Sequence, residues 1–204
     1  MMTIQFWFDF GSNYSYLSML RIAPLAAAAG VQVQLKPFML GPIFKSFGWD
    51  SSPFVLQPLK GRYVWNDMRR QCAKFGLRWQ QPSQFPRNGL LAARIALQAE
   101  AAPWLPAFYE RVMLANFADD LDISDEAVIG AILADLGVDS ARTIAEAKSD
   151  SAKASLRART EEAAALGIFG APMFLVGEEM FWGNDRLEDA LAYAQQVSAP
   201  AALG

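Results

Sequence analysis

Strand-like patterns lie at the two ends of this chain, and helical patterns fill the middle. At the N-terminal end, residues 3–10 (TIQFWFDF) are β-branched and aromatic and stop at Gly11, which predicts a strand. Residues 14–30 have helical spacing and end at Gly30, with a kink or an interruption expected at Pro24. Residues 31–40 alternate at first, as a second strand does. This end therefore predicts a right-handed βαβ unit.

The middle and the C-terminal end complete the order of elements. From about residue 60 to residue 166 the apolar residues recur at helical spacing, interrupted by Gly, Pro and Asp breakers. Residues 171–183 (APMFLVGEEMFWG) predict a hairpin that turns at Gly177 and Glu178, and residues 184–197 predict a closing helix.

Neither end could bury its own strands as an independent domain. The economical arrangement is one mixed sheet with helices on both faces, built from residues 1–41 and 167–204. Residues 42–166 are then an inserted all-helical subdomain. The predicted fold class is α/β.

Composition excludes several classes of function. The net charge is −3 and the 18 basic residues are scattered, so no nucleic-acid or anionic-membrane surface is predicted. The start of the chain lacks the features of a signal peptide, and no apolar run approaches the roughly 18 residues of a membrane span. We therefore expect a soluble, cytoplasmic protein.

Ser12 lies at the expected strand-to-helix turn, in a chain without histidine. The absence of histidine removes the usual general base and the usual metal ligand, so no metal site is predicted. A single cysteine, Cys72, excludes an intramolecular disulfide, and it is expected to be a small buried hydrophobe. Ser12 is then either a helix cap or part of a site whose reactive group arrives with a cofactor.

Two motifs, one at each end, resemble a known family. FDFGSNYSYL (residues 8–17) resembles the N-terminal motif of kappa-class glutathione transferases and of 2-hydroxychromene-2-carboxylate isomerases. FGAPMFLVGEEMFWGNDRLEDAL (residues 169–191) is similar to the isomerases' C-terminal block, and KGRYVWNDMRR (residues 60–70) to the helix on the glutathione side. This resemblance implies a DsbA-like thioredoxin fold. Ser12 and Ser15 stand where a disulfide oxidoreductase needs thiols, which excludes that activity.

The resemblance also implies a reaction. Members of the group bind glutathione, are commonly homodimers, and interconvert a hydroxychromene carboxylate with trans-benzylidenepyruvate in the breakdown of naphthalene-like aromatics. A thiolate that adds to the conjugated carbon, allows rotation and leaves is a suitable catalyst for this step. The nucleophile would be the sulfur of glutathione, and the partner a small aromatic carboxylate.

The resemblance assigns roles to several residues that also have ordinary structural explanations. Ser12 would donate a hydrogen bond to the thiolate at the start of a helix, where it is also a good N-cap. Ala171 and Pro172, joined by a cis bond, would pair with the backbone of glutathione. Asn184 and Asp185 would hold its γ-glutamyl group, although either is also a good cap.

Further contacts follow from position and residue type. Lys60 and Tyr63 would reach the glycyl carboxylate or the substrate, and Lys36 would lie at the mouth of the site, although such residues are ordinarily solvated. Trp49 stands where kappa-class enzymes have Asn. Trp49 lies in FGWD (residues 47–50), and Phe181 and Trp182 lie in MFW (residues 180–182). The three rings would stack on a flat aromatic substrate unless they belong to the core.

Two other functions stay open from the sequence. The chain could be a kappa-like transferase that makes a stable glutathione conjugate. It could also be a non-catalytic protein that binds glutathione or an aromatic acid.

Overall fold

A computed structural model describes residues 3–198 and contains one mixed sheet. Within these residues the sheet has four strands in the order β2-β1-β3-β4: β1 (Thr3–Phe8), β2 (Gln32–Pro37), β3 (Met173–Val176) and β4 (Glu179–Trp182). β1 pairs parallel with β2 and antiparallel with β3. β3 and β4 form the predicted hairpin around Gly177 and Glu178. Strands from the two ends of the chain therefore share one sheet, as the sequence predicts.

Helices flank and separate the strands. Their bounds are α1 (Asn13–Ala29), α2 (Leu40–Ser46), α3 (Pro53–Leu56), α4 (Pro58–Phe75), α5 (Leu90–Gln98), α6 (Leu105–Phe117), α7 (Glu126–Asp135), α8 (Ser140–Ala147), α9 (Asp150–Ala165) and α10 (Leu187–Ser198), with a 3-10 turn at Asn184–Arg186 before α10. Across residues 3–198, none of the helices is both long enough and apolar enough to span a bilayer.

All the predicted helices are present, with local differences. Pro24 does not interrupt α1, because it lies on the exposed side of the helix, where water can satisfy the carbonyl that loses its N–H partner. The short helices α2, α3 and α8 were not predicted. The first two have only seven and four residues, too few to establish a helical period.

Apolar side chains cover both faces of the sheet. Along β1, Ile4, Phe6 and Phe8 belong to the larger cluster, which includes residues of α1, α5, α6 and α10. Trp7 points to the other face, where it packs with Phe38 and with residues around the end of α9. The inserted helices therefore share their core with the sheet. This arrangement confirms the predicted thioredoxin-like α/β fold with a helical insertion.

Asn116, in α6 of the insertion, is tied to the turn that follows β1. Its Nδ2 donates to the Phe10 carbonyl at 3.0 Å, and its Oδ1 accepts from Nη1 of Arg87 at 3.3 Å. All of these contacts are buried. Asn116 therefore fixes the insertion against the N-terminal part of the sheet.

We predict that Asn116→Ala lowers the free energy of unfolding by about 1–3 kcal/mol, because it leaves buried hydrogen-bonding groups unpaired. Urea denaturation measures the loss. Asn66→Ala is the matched control, since Asn66 is exposed and its Nδ2 donates to the Arg62 carbonyl within α4. The control should change the free energy of unfolding by less than about 0.5 kcal/mol. Equal effects of the two substitutions would contradict the structural role of Asn116.

Candidate functional site

A cavity of about 470 Å³ opens beside the start of α1. Its volume lies in the range of small-molecule sites. The walls come from distant parts of the chain: Asp9 with residues 11–13, residues 39–41, residues 49–54, residues 85–88 and residues 169–171, together with Phe44, Lys60 and Trp182. We refer to it as the Ser12 cavity.

Ser12 joins the two ends of the chain at this cavity. It is the N-cap of α1: its Oγ accepts a hydrogen bond from the Ser15 backbone N–H at 3.3 Å. The same hydroxyl donates to the carbonyl of Ala171 at 3.1 Å. The capping role is therefore present, and the hydroxyl lies at the wall of the cavity. A helix N-terminus also provides positive potential for a bound anion.

The carboxylate of Asp9 holds two walls of the cavity together. Oδ1 accepts from the Gly11 N–H and Oδ2 from the Leu40 N–H, both at 2.7 Å. Burial raises the pKa of the Asp9 carboxyl above its ordinary value, while the two backbone hydrogen bonds oppose that shift. Sequence reasoning missed Asp9. The DFGS turn gave one hint, because Asp often accepts from a backbone N–H two residues later.

Residues 85–88 form another wall, which Arg87 fixes in place. The side chain is buried, and its guanidinium donates to Asn116, to Ser83 and to Asp120, with which it also forms an ion pair. The Arg87 carbonyl approaches Gly11 so closely that a Cβ at Gly11 would lie 2.6 Å from its oxygen. Glycine is therefore needed at this point of the turn. Arg87 was also missed, since its partners Asn116 and Asp120 are distant in sequence.

Aromatic side chains lie on two sides of the cavity. Trp182 makes an edge contact with Phe169, with ring centroids 5.0 Å apart. On another side Trp49 packs against Phe44 at 5.7 Å. Trp182 is 56% exposed and Trp49 38%, so both offer free ring surface. Phe181 contacts Tyr193 of α10 instead and is not part of the cavity lining.

Of the two residues predicted from the KGRY motif, one lines the cavity and the other does not. Lys60, near the start of α4, is among the lining residues of the cavity. Tyr63 is 62% exposed, lies outside the lining and packs beside the guanidinium of Arg70. Only the lysine of the pair is positioned to meet a molecule in the cavity.

Ala171 lies beside Ser12, and the Ala171–Pro172 bond is cis, as the resemblance implies. The carbonyl of Ala171 is already paired with Ser12. Pro172 is not part of the lining, and its carbonyl accepts from the Gly183 N–H at 3.0 Å. This hydrogen bond connects the start of β3 to the end of β4.

Asn184 and Asp185 lie outside the lining of the cavity. Asn184 is buried, and its Oδ1 accepts from Ser18 Oγ at 3.2 Å and from Arg21 Nη1 at 2.8 Å. Its amide oxygen therefore fastens the start of the last helix to α1. Asp185 is exposed, with its carboxylate 3.8 Å from Arg186. The predicted roles of these two residues in holding glutathione have no support from their positions.

Lys36 does not reach the cavity either. It pairs with Trp7 across β1 and β2, and its Nζ lies 5.7 Å from the centre of the Trp7 ring. Residues that face each other in a ladder project to the same face, and here that face is the one Trp7 covers. Cys72 is buried as predicted, and burial raises the pKa of its thiol to about 12.

Comparison with known proteins identifies the family. A model of the DSBA-like thioredoxin domain matches residues 3–195. This chain belongs to the DSBA-like thioredoxin family. Among similar proteins, a 2-hydroxychromene-2-carboxylate isomerase of Sphingobium xenophagum is 29% identical over 94% of this chain and 97% of its own length. Glutathione s-transferase kappa 2 of Caenorhabditis elegans is 24% identical over 90% of this chain and 88% of its own.

Solved structures show the same fold. A 2-hydroxychromene-2-carboxylate isomerase superposes with a TM-score of 0.87 at 23% identity, covering 97% of this chain and 96% of its own. The cytosolic disulfide reductase DsbM from Pseudomonas aeruginosa, solved with GSH, gives a TM-score of 0.61 at 15% identity, with coverages of 97% and 98%. The relationship inferred from the terminal motifs is therefore confirmed.

We predict that Asp9 makes stability depend on pH in an unusual direction. Because its pKa is raised in the folded protein, the folded state binds this proton more tightly than the unfolded chain does. The contribution of Asp9 to the free energy of unfolding is fully present below the pKa that Asp9 has in the unfolded chain. It is lost as the pH rises through the raised pKa of the folded state. The free energy of unfolding of the wild type minus that of Asp9→Asn should therefore fall as the pH rises from about 4 to 8.

Urea denaturation of both proteins at several pH values measures this difference. Other titrating groups are shared by the two proteins, so their contributions cancel. A difference that grows with pH would mean that the hydrogen bonds from Gly11 and Leu40 outweigh the effect of burial.

Proposed function

We propose that this protein is a glutathione-dependent isomerase that interconverts 2-hydroxychromene-2-carboxylate and trans-o-hydroxybenzylidenepyruvate in the breakdown of aromatic compounds. The observation that carries the proposal is the position of Ser12. Its hydroxyl lies at the cavity wall, at the start of a helix and in contact with Ala171, in a chain with no histidine and one buried cysteine. A site of this kind suits a thiolate that is brought in from outside. Relatives named as this isomerase support the same reaction.

The residues present fit glutathione. The cavity contains a hydroxyl donor at Ser12, an ammonium at Lys60 and a backbone edge at Ala171. Asn13 is also a lining residue, and its buried side-chain N–H has no hydrogen-bond partner in the part of the chain that the structure describes. When bound, glutathione would supply a thiolate that adds reversibly to the conjugated double bond, which allows rotation about that bond.

Ser12 would act by exchanging one hydrogen-bond acceptor for another. Its O–H now points to the Ala171 carbonyl. With a sulfur anion at the start of α1, this donor would turn to the anion and stabilise it, as charge-assisted hydrogen bonds do. The carbonyl of Ala171 would then be free to accept an N–H from the backbone of the bound tripeptide, as an added strand does.

The remaining lining residues would orient the aromatic acid. Trp49 on one side, and Trp182 with Phe169 on the other, present ring faces and edges suited to a flat aromatic group. Lys60 would attract a carboxylate at the rim. These contacts would also exclude water from the reacting double bond.

The alternative is a kappa-like transferase, which the relative from Caenorhabditis elegans favours. The two activities differ in what happens to glutathione. A transferase consumes it stoichiometrically with an electrophile such as chlorodinitrobenzene. An isomerase leaves its concentration unchanged.

The experiment is to follow the absorbance of 2-hydroxychromene-2-carboxylate after mixing with enzyme, with and without catalytic glutathione. The proposal expects fast equilibration only with glutathione, and constant glutathione throughout. Consumption of glutathione with the electrophile, without isomerisation, would identify the transferase. If neither reaction is observed, the proposal is overturned, and a non-catalytic binding protein is the remaining function.

We predict that Ser12→Ala lowers the isomerisation rate by roughly 10- to 100-fold, the worth of one hydrogen bond to a charged group. Ser149→Ala is the matched control, because Ser149 Oγ caps α9 by accepting from the Ala152 N–H at 3.2 Å and is not part of the cavity lining. Both variants should lose about 1 kcal/mol of stability through the lost cap. Only Ser12→Ala should lose activity. Equal rates in the two variants would mean that Ser12 is a cap and nothing more.

A further inference from the structure

Asn13 carries a hydrogen-bond donor that no residue between 3 and 198 accepts. It is the first residue of α1, it is 1% exposed, and it lines the Ser12 cavity beside Ser12 itself. Its Nδ2 atom is buried, and among the described residues it has no hydrogen-bond partner. Neither the resemblance nor the pattern of the sequence assigns this residue a role.

An unpaired buried amide is unfavourable for the free protein. Buried polar groups in folded proteins almost always have partners, and the exceptions call for an explanation. At the wall of a cavity, one explanation is that a bound molecule supplies the missing acceptor. The penalty is then removed on binding, and molecules that lack the acceptor are disfavoured.

The proposed substrate places an acceptor at this point. If the sulfur anion is held by Ser12, the carbon that it attacks must lie near the start of α1. The 2-oxo oxygen of an arylidene pyruvate is only three bonds from that carbon, so we expect it close to Ser12 and to the adjacent residue, Asn13. The carboxylate is farther along the molecule and would be nearer the rim, where Lys60 lies.

We propose that Asn13 donates a hydrogen bond from Nδ2 to the 2-oxo oxygen of the substrate, which makes the cavity selective for aryl 2-oxo acids. This inference rests on the proposed function. We expect a rotation about χ2, a broad torsion in asparagine, to turn Nδ2 toward the bound acid. The same hydrogen bond would strengthen as negative charge develops on the oxo oxygen, so Asn13 would also be a catalytic residue.

The experiment uses two unreactive acids that differ only in the oxo group, 4-phenyl-2-oxobutanoate and 4-phenylbutanoate. Calorimetry measures their binding to the wild type, Asn13→Ala, Asn13→Asp and Ser15→Ala, without glutathione. Ser15→Ala is the matched control, because Ser15 Oγ is also buried in α1 and without a partner in the described part of the chain, but Ser15 lies outside the cavity lining. Any general effect of removing an unpaired polar group is therefore common to both positions.

We expect the wild type and Ser15→Ala to bind the oxo acid at least about 10-fold more tightly than the plain acid, the worth of one hydrogen bond to an otherwise unpaired group. Asn13→Ala should bind the two acids equally. Asn13→Asp should bind both more weakly, since it adds a like charge. A preference that persists in Asn13→Ala, or that is absent from the wild type, would overturn the assignment.

Failure of the proposed function gives a different result. If the chromene is not isomerised but the oxo preference exists and depends on Asn13, the cavity is a 2-oxo acid site with another reaction. If the chromene is isomerised and the oxo preference is unaffected by Asn13→Ala, only the role of Asn13 is wrong.

Discussion

The buried carboxylate of Asp9 is the contact on which the candidate site depends. Its two oxygens accept from the Gly11 and Leu40 N–H groups, which belong to different walls of the cavity. Without this acceptor, both N–H groups would lose their hydrogen-bond partner, and the turn before Ser12 would lose its connection to α2. The protein accepts the cost of burying a carboxyl at this point, and the result is a fixed start for α1.

The helical insertion completes the same construction. Asn116 of α6 binds both the Phe10 carbonyl and Arg87, and Arg87 holds residues 85–88 against Gly11. At the other end of the chain, the Ala171 carbonyl receives the hydroxyl of Ser12. The cavity thus exists only when the N-terminal strand, the insertion and the C-terminal hairpin are assembled. Two of its aromatic rings, those of Trp49 and Trp182, keep exposed surface.

The sequence predicted the fold well because periodicity and breakers are local. It also predicted that Ser12, Ala171, Lys60, Trp49 and Trp182 belong near one another, and all five line the cavity. It could not predict that the side-chain oxygen of Asn184 accepts a hydrogen bond from Arg21, or that Lys36 lies over the Trp7 ring. These contacts depend on the tertiary arrangement of strands and helices. For the same reason it missed Asp9 and Arg87, which matter because they are buried and hold distant parts of the chain together. It also missed Asn13, which matters because its buried side-chain N–H lacks a partner among the described residues.

In the proposed reaction, the start of α1 stabilises a sulfur anion from bound glutathione. The most direct measurement is the pH dependence of thiolate absorbance with glutathione bound to the wild-type protein. The background is low, because burial raises the pKa of the Cys72 thiol to about 12 and keeps it protonated. We expect a midpoint below that of free glutathione, since both the helix N-terminus and Ser12 favour the anion. A midpoint equal to that of free glutathione would contradict it.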